Sequence, residues 1–172
     1  MITRRNFLKA GAAVAALSVV PNGFASILAK KEKAIGVQLY SVRDDLKTDF
    51  DGTMKALVDI GYKRMEAAGY RDGKFYGKSP AEMKKYLADL GARMVGSHTG
   101  SGLLAEGDTK GWDFWKKNAA DTAEVGCKWI VQAGYPSKDI KSLSDVKRLA
   151  DQFNKCGEIA KANGCLLYTS DA

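Results

Sequence analysis

Five polar side chains stand at or just beyond the ends of short apolar segments, where they could contact a ligand. They are Gln38, Tyr40, Glu66, His98 and Gln132. Glu66 and His98 are the candidates for acid or base chemistry, because a carboxylate and an imidazole both take up and release protons. The other three can exchange hydrogen bonds with a bound molecule. We therefore predict catalytic roles for Glu66 and His98 and substrate-binding roles for Gln38, Tyr40 and Gln132.

Each of these residues also has a purely structural interpretation. Gln38 and Gln132 could be hydrogen-bonded inside the fold, and Tyr40 could pack in the core with its hydroxyl satisfied. For Glu66 we favour a functional role, because an acidic side chain that faces inward from a strand is rarely buried unless it has a function. His98 is the only histidine in the sequence and precedes a Thr-Gly-Ser-Gly segment. This predicted loop position favours a side chain that faces a pocket and not one buried in the core.

The spacing of these residues does not define a metal site. One histidine and one glutamate fall short of the ligands that a divalent site needs. The three cysteines, Cys127, Cys156 and Cys165, lack metal-type spacing and cannot all pair with one another. No disulfide framework is predicted.

Short apolar segments alternate with stretches of helical periodicity, which is the pattern of a parallel α/β sheet. The predicted strands are residues 34–40, 63–67, 93–97 and 128–132. Between them, apolar residues spaced by three and four predict helices with one apolar face each. Those residues are Phe50, Met54, Leu57 and Val58, then Met83, Tyr86, Leu87 and Leu90, then Phe114, Trp115, Ala119 and Ala123, then Val146, Leu149, Ala150, Phe153, Ile159 and Ala160.

Helix start and stop signals agree with this division. Residues 79–82, Ser-Pro-Ala-Glu, predict a capping box with proline at the first helical position. Glycines stand where the predicted helices should stop, at Gly61, Gly91, Gly126 and Gly164.

The spacing of the predicted strands favours a closed barrel. They begin roughly every 30 residues, the period of a unit in a (β/α)8 barrel. The rival architecture, a doubly wound open sheet, predicts a glycine-rich phosphate turn after the first strand. Residues 38–42 instead read QLYSV. The predicted fold class is therefore α/β, with about four β/α units forming the first half of a TIM barrel.

Four units leave a barrel half complete, with unpaired strand edges. We therefore expect residues 33–164 to be the N-terminal half of the barrel and the chain to be a fragment. Residues 165–172, CLLYTSDA, look like the translation of a sequencing-library adaptor and are predicted to be a non-native tail. The alternative is a native fifth strand at residues 165–169.

Residues 1–29 have the organisation of an export signal. Arginines at positions 4 and 5 precede an apolar segment, residues 10–20, that is too short to span a bilayer of about 30 Å. Small residues around 23–25 suit cleavage. Residues 3–9, TRRNFLK, resemble the twin-arginine motif, which predicts export of the folded protein to the periplasm by the twin-arginine machinery. No stable membrane anchor is expected. The alternative interpretation of this N-terminal segment is an amphipathic first helix.

The charge balance does not favour a nucleic-acid partner. The formal net charge is +7; without Arg4, Arg5 and Lys9 the basic residues fall from 27 to 24 against 20 acidic ones, which leaves +4. A surplus of this size, spread over alternating signs, is ordinary for a soluble protein. The 45% hydrophobic and 27% charged composition is likewise that of a globular domain.

Three segments together resemble a known family. They are IGVQLYSVR at residues 35–43, GYKRME at 61–66 with Gly69-Tyr70 after it, and Ser97-His98. They are similar to the exported sugar phosphate isomerase/epimerases of the xylose isomerase-like TIM-barrel superfamily, over about residues 33–164 of this chain. The GVQLYSVR segment is the most specific of the three.

The resemblance implies an enzyme that abstracts a proton next to a sugar carbonyl with the help of a divalent cation. Such a cation polarises the carbonyl and stabilises the developing oxyanion. The family takes its metal ligands from strands five to eight, so most of them are expected outside this chain, which is itself expected to be inactive. Gln38, Tyr40, Glu66 and His98 are the positions that the resemblance places in the pocket.

Three other functions are compatible with the superfamily. One is a keto-glycoside lyase, whose reaction begins with the same proton removal. Another is a carbohydrate-binding barrel without catalysis. The third, an apurinic-site endonuclease, is disfavoured by the export signal, the small net charge and the single histidine.

Overall fold

A computed structural model describes residues 35–134 and 137–170. The predicted signal segment, residues 1–29, lies outside them. Strands and helices alternate along the described chain as follows: β1 Gly36–Gln38, a 3-10 helix Leu39–Val42, α1 Arg43–Thr48, α2 Phe50–Asp59, β2 Arg64–Ala67, β3 Tyr70–Arg71, β4 Lys74–Phe75, α3 Pro80–Asp89, β5 Arg93–Thr99, α4 Thr109–Val125, β6 Trp129–Gln132, a 3-10 helix Ser137–Asp139, α5 Leu143–Ala162 and β7 Leu166–Thr169.

Five of the strands form one parallel sheet in the order β1-β2-β5-β6-β7. β3 and β4 form a separate antiparallel hairpin. Within the parallel sheet, each strand lies beside the one that precedes it in the chain, and every connection contains a helix. A doubly wound sheet would reverse its strand order at a switch point. The topology confirms the predicted α/β class and the partial TIM barrel.

The sheet has one strand more than the four units predicted. β7 pairs with β6 in parallel, with Trp129 opposite Leu166 and Gln132 opposite Thr169. Residues of the predicted tail thus occupy the fifth position, as the alternative interpretation allowed. The proposed adaptor origin of residues 165–172, and the division of the chain at residue 164, stay predictions, because strand pairing does not depend on where a sequence came from.

Two predicted strand boundaries were wrong at the candidate site. β1 ends at Gln38, and the backbone then turns into the 3-10 helix, so Tyr40 is not on a strand. β5 continues to Thr99, so His98 lies within the strand and not after it. β5 is longer than predicted because it pairs with β6 up to its last residue. Val131 is the register partner of His98, and Gln132 is that of Thr99.

The predicted helix signals are confirmed. The Ser79 hydroxyl accepts a hydrogen bond from the Glu82 amide, and the Glu82 carboxylate accepts one from the Ser79 amide. This pair is the predicted capping box of α3. The four predicted stop glycines all adopt positive φ, for example +99° at Gly126 after α4.

The core lies between the helices and one face of the sheet. In β2, Met65 and Ala67 are completely buried against the helices, whereas Glu66 between them points to the other face. A second cluster joins α4, α5 and β6 around Trp115, with Ile130. The helix-facing residues of the strands therefore fill the core, and the opposite face is available for a site.

Within residues 35–134 and 137–170, no helix is long and apolar enough to cross a membrane.

Candidate functional site

Three strands bring Gln38, Glu66 and His98 into one hydrogen-bonded group. Gln38 and Glu66 are register partners at the carboxyl ends of β1 and β2. The Gln38 side-chain nitrogen, Nε2, donates to Glu66 Oε1 at 2.6 Å. The same nitrogen lies 2.9 Å from Nδ1 of His98 on β5. Both predicted catalytic residues are therefore linked through a predicted substrate-binding residue.

Gly96 provides space for this group. It is the register partner of Glu66 on β5. A Cβ atom at Gly96 would lie 3.4 Å from both Cγ and Oε2 of Glu66, so the Glu66 side chain lies directly against this glycine. His98 is the next residue on the same face of β5. Gly96 was absent from the predicted site, although a glycine inside a strand often marks such a close approach.

The hydrogen bonds define which nitrogen of His98 carries the proton. A carboxylate only accepts hydrogen bonds, so the group of Gln38 that faces Glu66 is its NH2. Because that NH2 has a second hydrogen to donate and Nδ1 of His98 lies 2.9 Å from the same nitrogen, we assign Nδ1 as the acceptor. In a neutral imidazole the other nitrogen then carries the proton. That nitrogen, Nε2, is buried and has no hydrogen-bond partner among the described residues.

His98 lines an open cleft of about 660 Å³, a size typical of small-molecule sites. The first turns of α4 and the β3–β4 hairpin form its other walls. Two aromatic rings, Tyr70 and Phe114, lie in these walls with their centroids 6.2 Å apart. Arg71 and Lys110 also line the cleft. A polar ligand with an apolar face could therefore be held in the cleft beside His98.

A buried carboxylate attaches the hairpin to α4. Asp121 is 7% exposed; Tyr70 Oη donates to its Oδ2 at 2.6 Å, and Lys117 Nζ donates to the same oxygen at 2.8 Å. Burial and, after it, the hydrogen bond to Asp121 raise the pKa of Tyr70, so the hydroxyl stays protonated as a donor. These contacts hold one wall of the cleft in place.

The turn of the hairpin packs closely against the same lysine. Asp72 and Gly73 both have positive φ, 51° and 76°, as two-residue hairpin turns require. A Cβ atom at Gly73 would lie 2.6 Å from Cε of Lys117. The sequence patterns above did not predict this hairpin, although its Asp-Gly pair is a signal for such a turn.

The two remaining predicted residues do not join the group. Tyr40 is 55% exposed, and the Arg43 guanidinium lies 4.5 Å from the centre of its ring. Gln132 is 3% exposed, and its Nε2 donates to the Gly134 carbonyl at 2.7 Å. The substrate-binding roles of Tyr40 and Gln132 therefore stay predictions.

The described residues do not fit a complete divalent metal site. Residues 35–134 and 137–170 contain no group of three or more His, Cys, Asp or Glu side chains placed to hold a metal ion. Glu66 and His98 alone supply fewer ligands than such a site needs. The three cysteines are buried and free. Burial raises the pKa of all three thiols, that of Cys156 to about 12, which disfavours the thiolate that metals bind.

Comparisons with known proteins agree with the sequence motifs at the N-terminus. Residues 1–21 match the family described as the TAT (twin-arginine translocation) pathway signal sequence. This match indicates export across the membrane to the periplasm. A comparison with curated proteins finds no match.

Several solved structures share the fold of this chain. A sugar phosphate isomerase/epimerase from Parabacteroides distasonis ATCC 8503 is 32% identical, with a TM-score of 0.71; the match covers 83% of this chain and 52% of that one. A second such protein from the same organism is 27% identical, with a TM-score of 0.66 and coverage of 79% and 54%. A D-psicose 3-epimerase studied with D-fructose is 18% identical, with a TM-score of 0.54 and coverage of 69% and 45%.

The chain spans about half the length of the solved structures it matches. Its sheet order, its helical connections and its sequence identity all point to the same group of proteins. The chain therefore consists of a twin-arginine signal followed by a partial TIM barrel that is similar to the sugar phosphate isomerase/epimerases.

Proposed function

We propose that the intact protein is a sugar isomerase or epimerase that removes a proton next to a sugar carbonyl. Similarity to sugar phosphate isomerase/epimerases supports this kind of reaction. The observation that carries the proposal is His98, which has an unpartnered, buried Nε2 and lines a cleft large enough for a sugar. Its substrate is a carbohydrate, and its partner in export is the twin-arginine machinery.

His98 acts as a hydrogen-bond donor to a sugar oxygen. When a proton leaves the carbon next to a carbonyl, negative charge develops on the carbonyl oxygen. A fixed N–H donor stabilises that charge more than it stabilises the neutral carbonyl, which lowers the barrier. Gln38 supports this role because its contact with Nδ1 leaves the proton on Nε2.

Glu66 holds Gln38 with one oxygen and is proposed to use the other on the substrate. Its Oε1 accepts the 2.6 Å hydrogen bond from Gln38. Its Oε2 lies beside Gly96, where no side chain covers it on β5. We place a sugar hydroxyl at this oxygen, so that Glu66 orients the sugar and assists proton movement.

The divalent cation implied by the resemblance would take most of its ligands from outside the described residues, which supply too few. It would polarise the sugar carbonyl. The 172-residue chain by itself is accordingly proposed to be inactive, and the proposed activity is that of the intact protein.

Deuterium incorporation tests the reaction directly. The intact protein is incubated in D2O with a divalent cation and either D-fructose or D-psicose, and deuterium entering the position next to the carbonyl is followed by NMR. We expect His98→Ala to slow incorporation by roughly 10²- to 10⁴-fold, the usual contribution of a positioned proton-transfer or donor group. Lys85→Gln, which changes an exposed ion pair on α3, is the control and should retain the full rate.

Two results would contradict the proposal. An undiminished rate in His98→Ala would remove His98 from the reacting site. Tight binding of either sugar without deuterium incorporation would instead favour a carbohydrate-binding barrel.

A further inference from the structure

The loop that follows the His98 strand contributes its first residue to the cleft and leads into the helix that forms another wall. It runs through residues 100–108, between β5 and α4. Gly100 at its start and Lys110 just after its end both line the cleft. Its path therefore sets how far the end of β5 lies from the first turn of α4.

A single buried glutamine on α5 holds this loop. Gln152 is 4% exposed. Its Oε1 accepts a hydrogen bond from the Leu104 amide at 2.8 Å. Its Nε2 donates to the Gly102 carbonyl at 3.1 Å and to the Ser101 hydroxyl at 3.3 Å. Both polar atoms of the side chain are thus used on one loop.

Other contacts support the same loop position. The indole nitrogen of the fully buried Trp115 donates to Ser101 Oγ at 2.9 Å. Leu104 packs against the second core cluster, the one around Trp115. A Cβ atom at Gly111 would collide with Leu104, so the glycine leaves space for it. The loop is consequently seated on α4 and α5 and does not project freely.

We propose that Gln152 is a positioning residue for the reaction, acting through the loop on the shape of the cleft beside His98. This proposal rests on the proposed function in that the sugar is taken to bind in this cleft. A loop has few backbone partners of its own, and an apolar side chain at position 152 would leave the Leu104 amide and the Gly102 carbonyl without theirs. The loop would then adopt a different conformation, and the shape of the cleft would change with it.

Two variants of the intact protein separate the contacts. Gln152→Met keeps the side-chain length and removes all three hydrogen bonds. Gln152→Glu keeps the acceptor for the Leu104 amide, removes both donations and sets a carboxylate oxygen against the Gly102 carbonyl, so it separates the Leu104 contact from the other two. Thr122→Val is the control: Thr122 is equally buried on α4, and its hydroxyl has no hydrogen-bond partner in the described part of the chain.

Three measurements are expected to change together in Gln152→Met. Hydrogen exchange at the Leu104 amide should become roughly tenfold faster or more, because its hydrogen bond is lost. The ring NMR signals of His98, identified by their loss in His98→Ala, should shift. KM for the sugar should rise several-fold with a smaller change in kcat, since the cleft and not the reacting group is altered. Gln152→Glu should leave the exchange of the Leu104 amide nearly unchanged but still shift the His98 signals and raise KM, and Thr122→Val should change none of the three.

The outcomes separate this proposal from the proposed function. Unchanged His98 signals and KM in both Gln152 variants would overturn the positioning role, even if Leu104 exchanges faster. If the wild-type protein shows no sugar turnover but the His98 signals shift in Gln152→Met, the positioning role is supported and the proposed reaction fails.

Discussion

Replacing Gln38 by methionine removes the amide that joins Glu66 to His98 and keeps the side-chain length. A hydrogen bond to a charged group contributes about 1.5–3 kcal/mol to stability, and one between neutral groups about 1 kcal/mol. Both Gln38 and Glu66 are only half-buried, so water compensates part of the loss. We therefore expect Gln38→Met to lower the free energy of unfolding by about 2 kcal/mol.

Urea unfolding followed by tryptophan fluorescence measures this loss. With a slope of about 2 kcal/mol per molar urea, the midpoint should fall by about 1 M. The substitution should also change the tautomer of the His98 imidazole, which NMR of the ring measures. Without the Gln38 donor at Nδ1, both neutral tautomers of His98 become populated, where the wild-type protein has the proton on Nε2.

Gln132→Met is the matched control for this prediction. It removes a glutamine whose side chain bonds the Gly134 carbonyl and contacts neither Glu66 nor His98 through a hydrogen bond. The His98 ring signals should therefore stay as in the wild-type protein. An unchanged tautomer in Gln38→Met, or an equal change in both variants, would refute the assignment of the His98 proton.

Four further predictions concern the surrounding fold. Tyr70→Phe removes the donor to the buried Asp121 and should lower the free energy of unfolding by about 1.5–3 kcal/mol, since the acceptor is charged; equal denaturation curves would disprove this contribution. Ser79→Ala removes the α3 cap and should cost about 1 kcal/mol in the same assay, with no change in the fold by circular dichroism. The buried thiols should react with a thiol reagent only after unfolding, and rapid labelling of the native protein would contradict their burial. Because burial raises their pKa, the free energy of unfolding should be greatest below the ordinary thiol pKa of about 8.5. It should fall as the pH rises towards about 12, the raised pKa of Cys156, and unfolding curves at several pH values can check this. The residues concerned are Cys127, Cys156 and Cys165.

Sequence patterns located the residues that meet at the site because of a general property of parallel sheets. The carboxyl ends of neighbouring strands lie at one edge, so a polar residue that ends each apolar run is brought close to the others. Gln38, Glu66 and His98 follow this rule. Tyr40 does not, because the chain leaves β1 two residues earlier and turns into a 3-10 helix. That turn depends on contacts that no local periodicity records.

The contacts that shape the cleft were not predictable from the same patterns. Gln152 and Leu104 are 48 residues apart in the chain, and Tyr70 and Asp121 are 51 apart. In the sequence, a glutamine or an aspartate in an amphipathic helix is indistinguishable from a solvated surface residue. Only packing of the helices on the sheet buries these side chains, and burial is what makes their hydrogen bonds necessary.

The sequence by itself determined the export signal, the alternation of strands and helices, the helix caps and the polar residues at the strand ends, because each depends on residues close together in the chain. The tertiary structure decided which of those polar residues touch, that Gln38 lies against Nδ1 of His98, and which residues hold the walls of the cleft. These features depend on strand register and on side chains from distant elements sharing one buried space, where every donor and acceptor needs a partner.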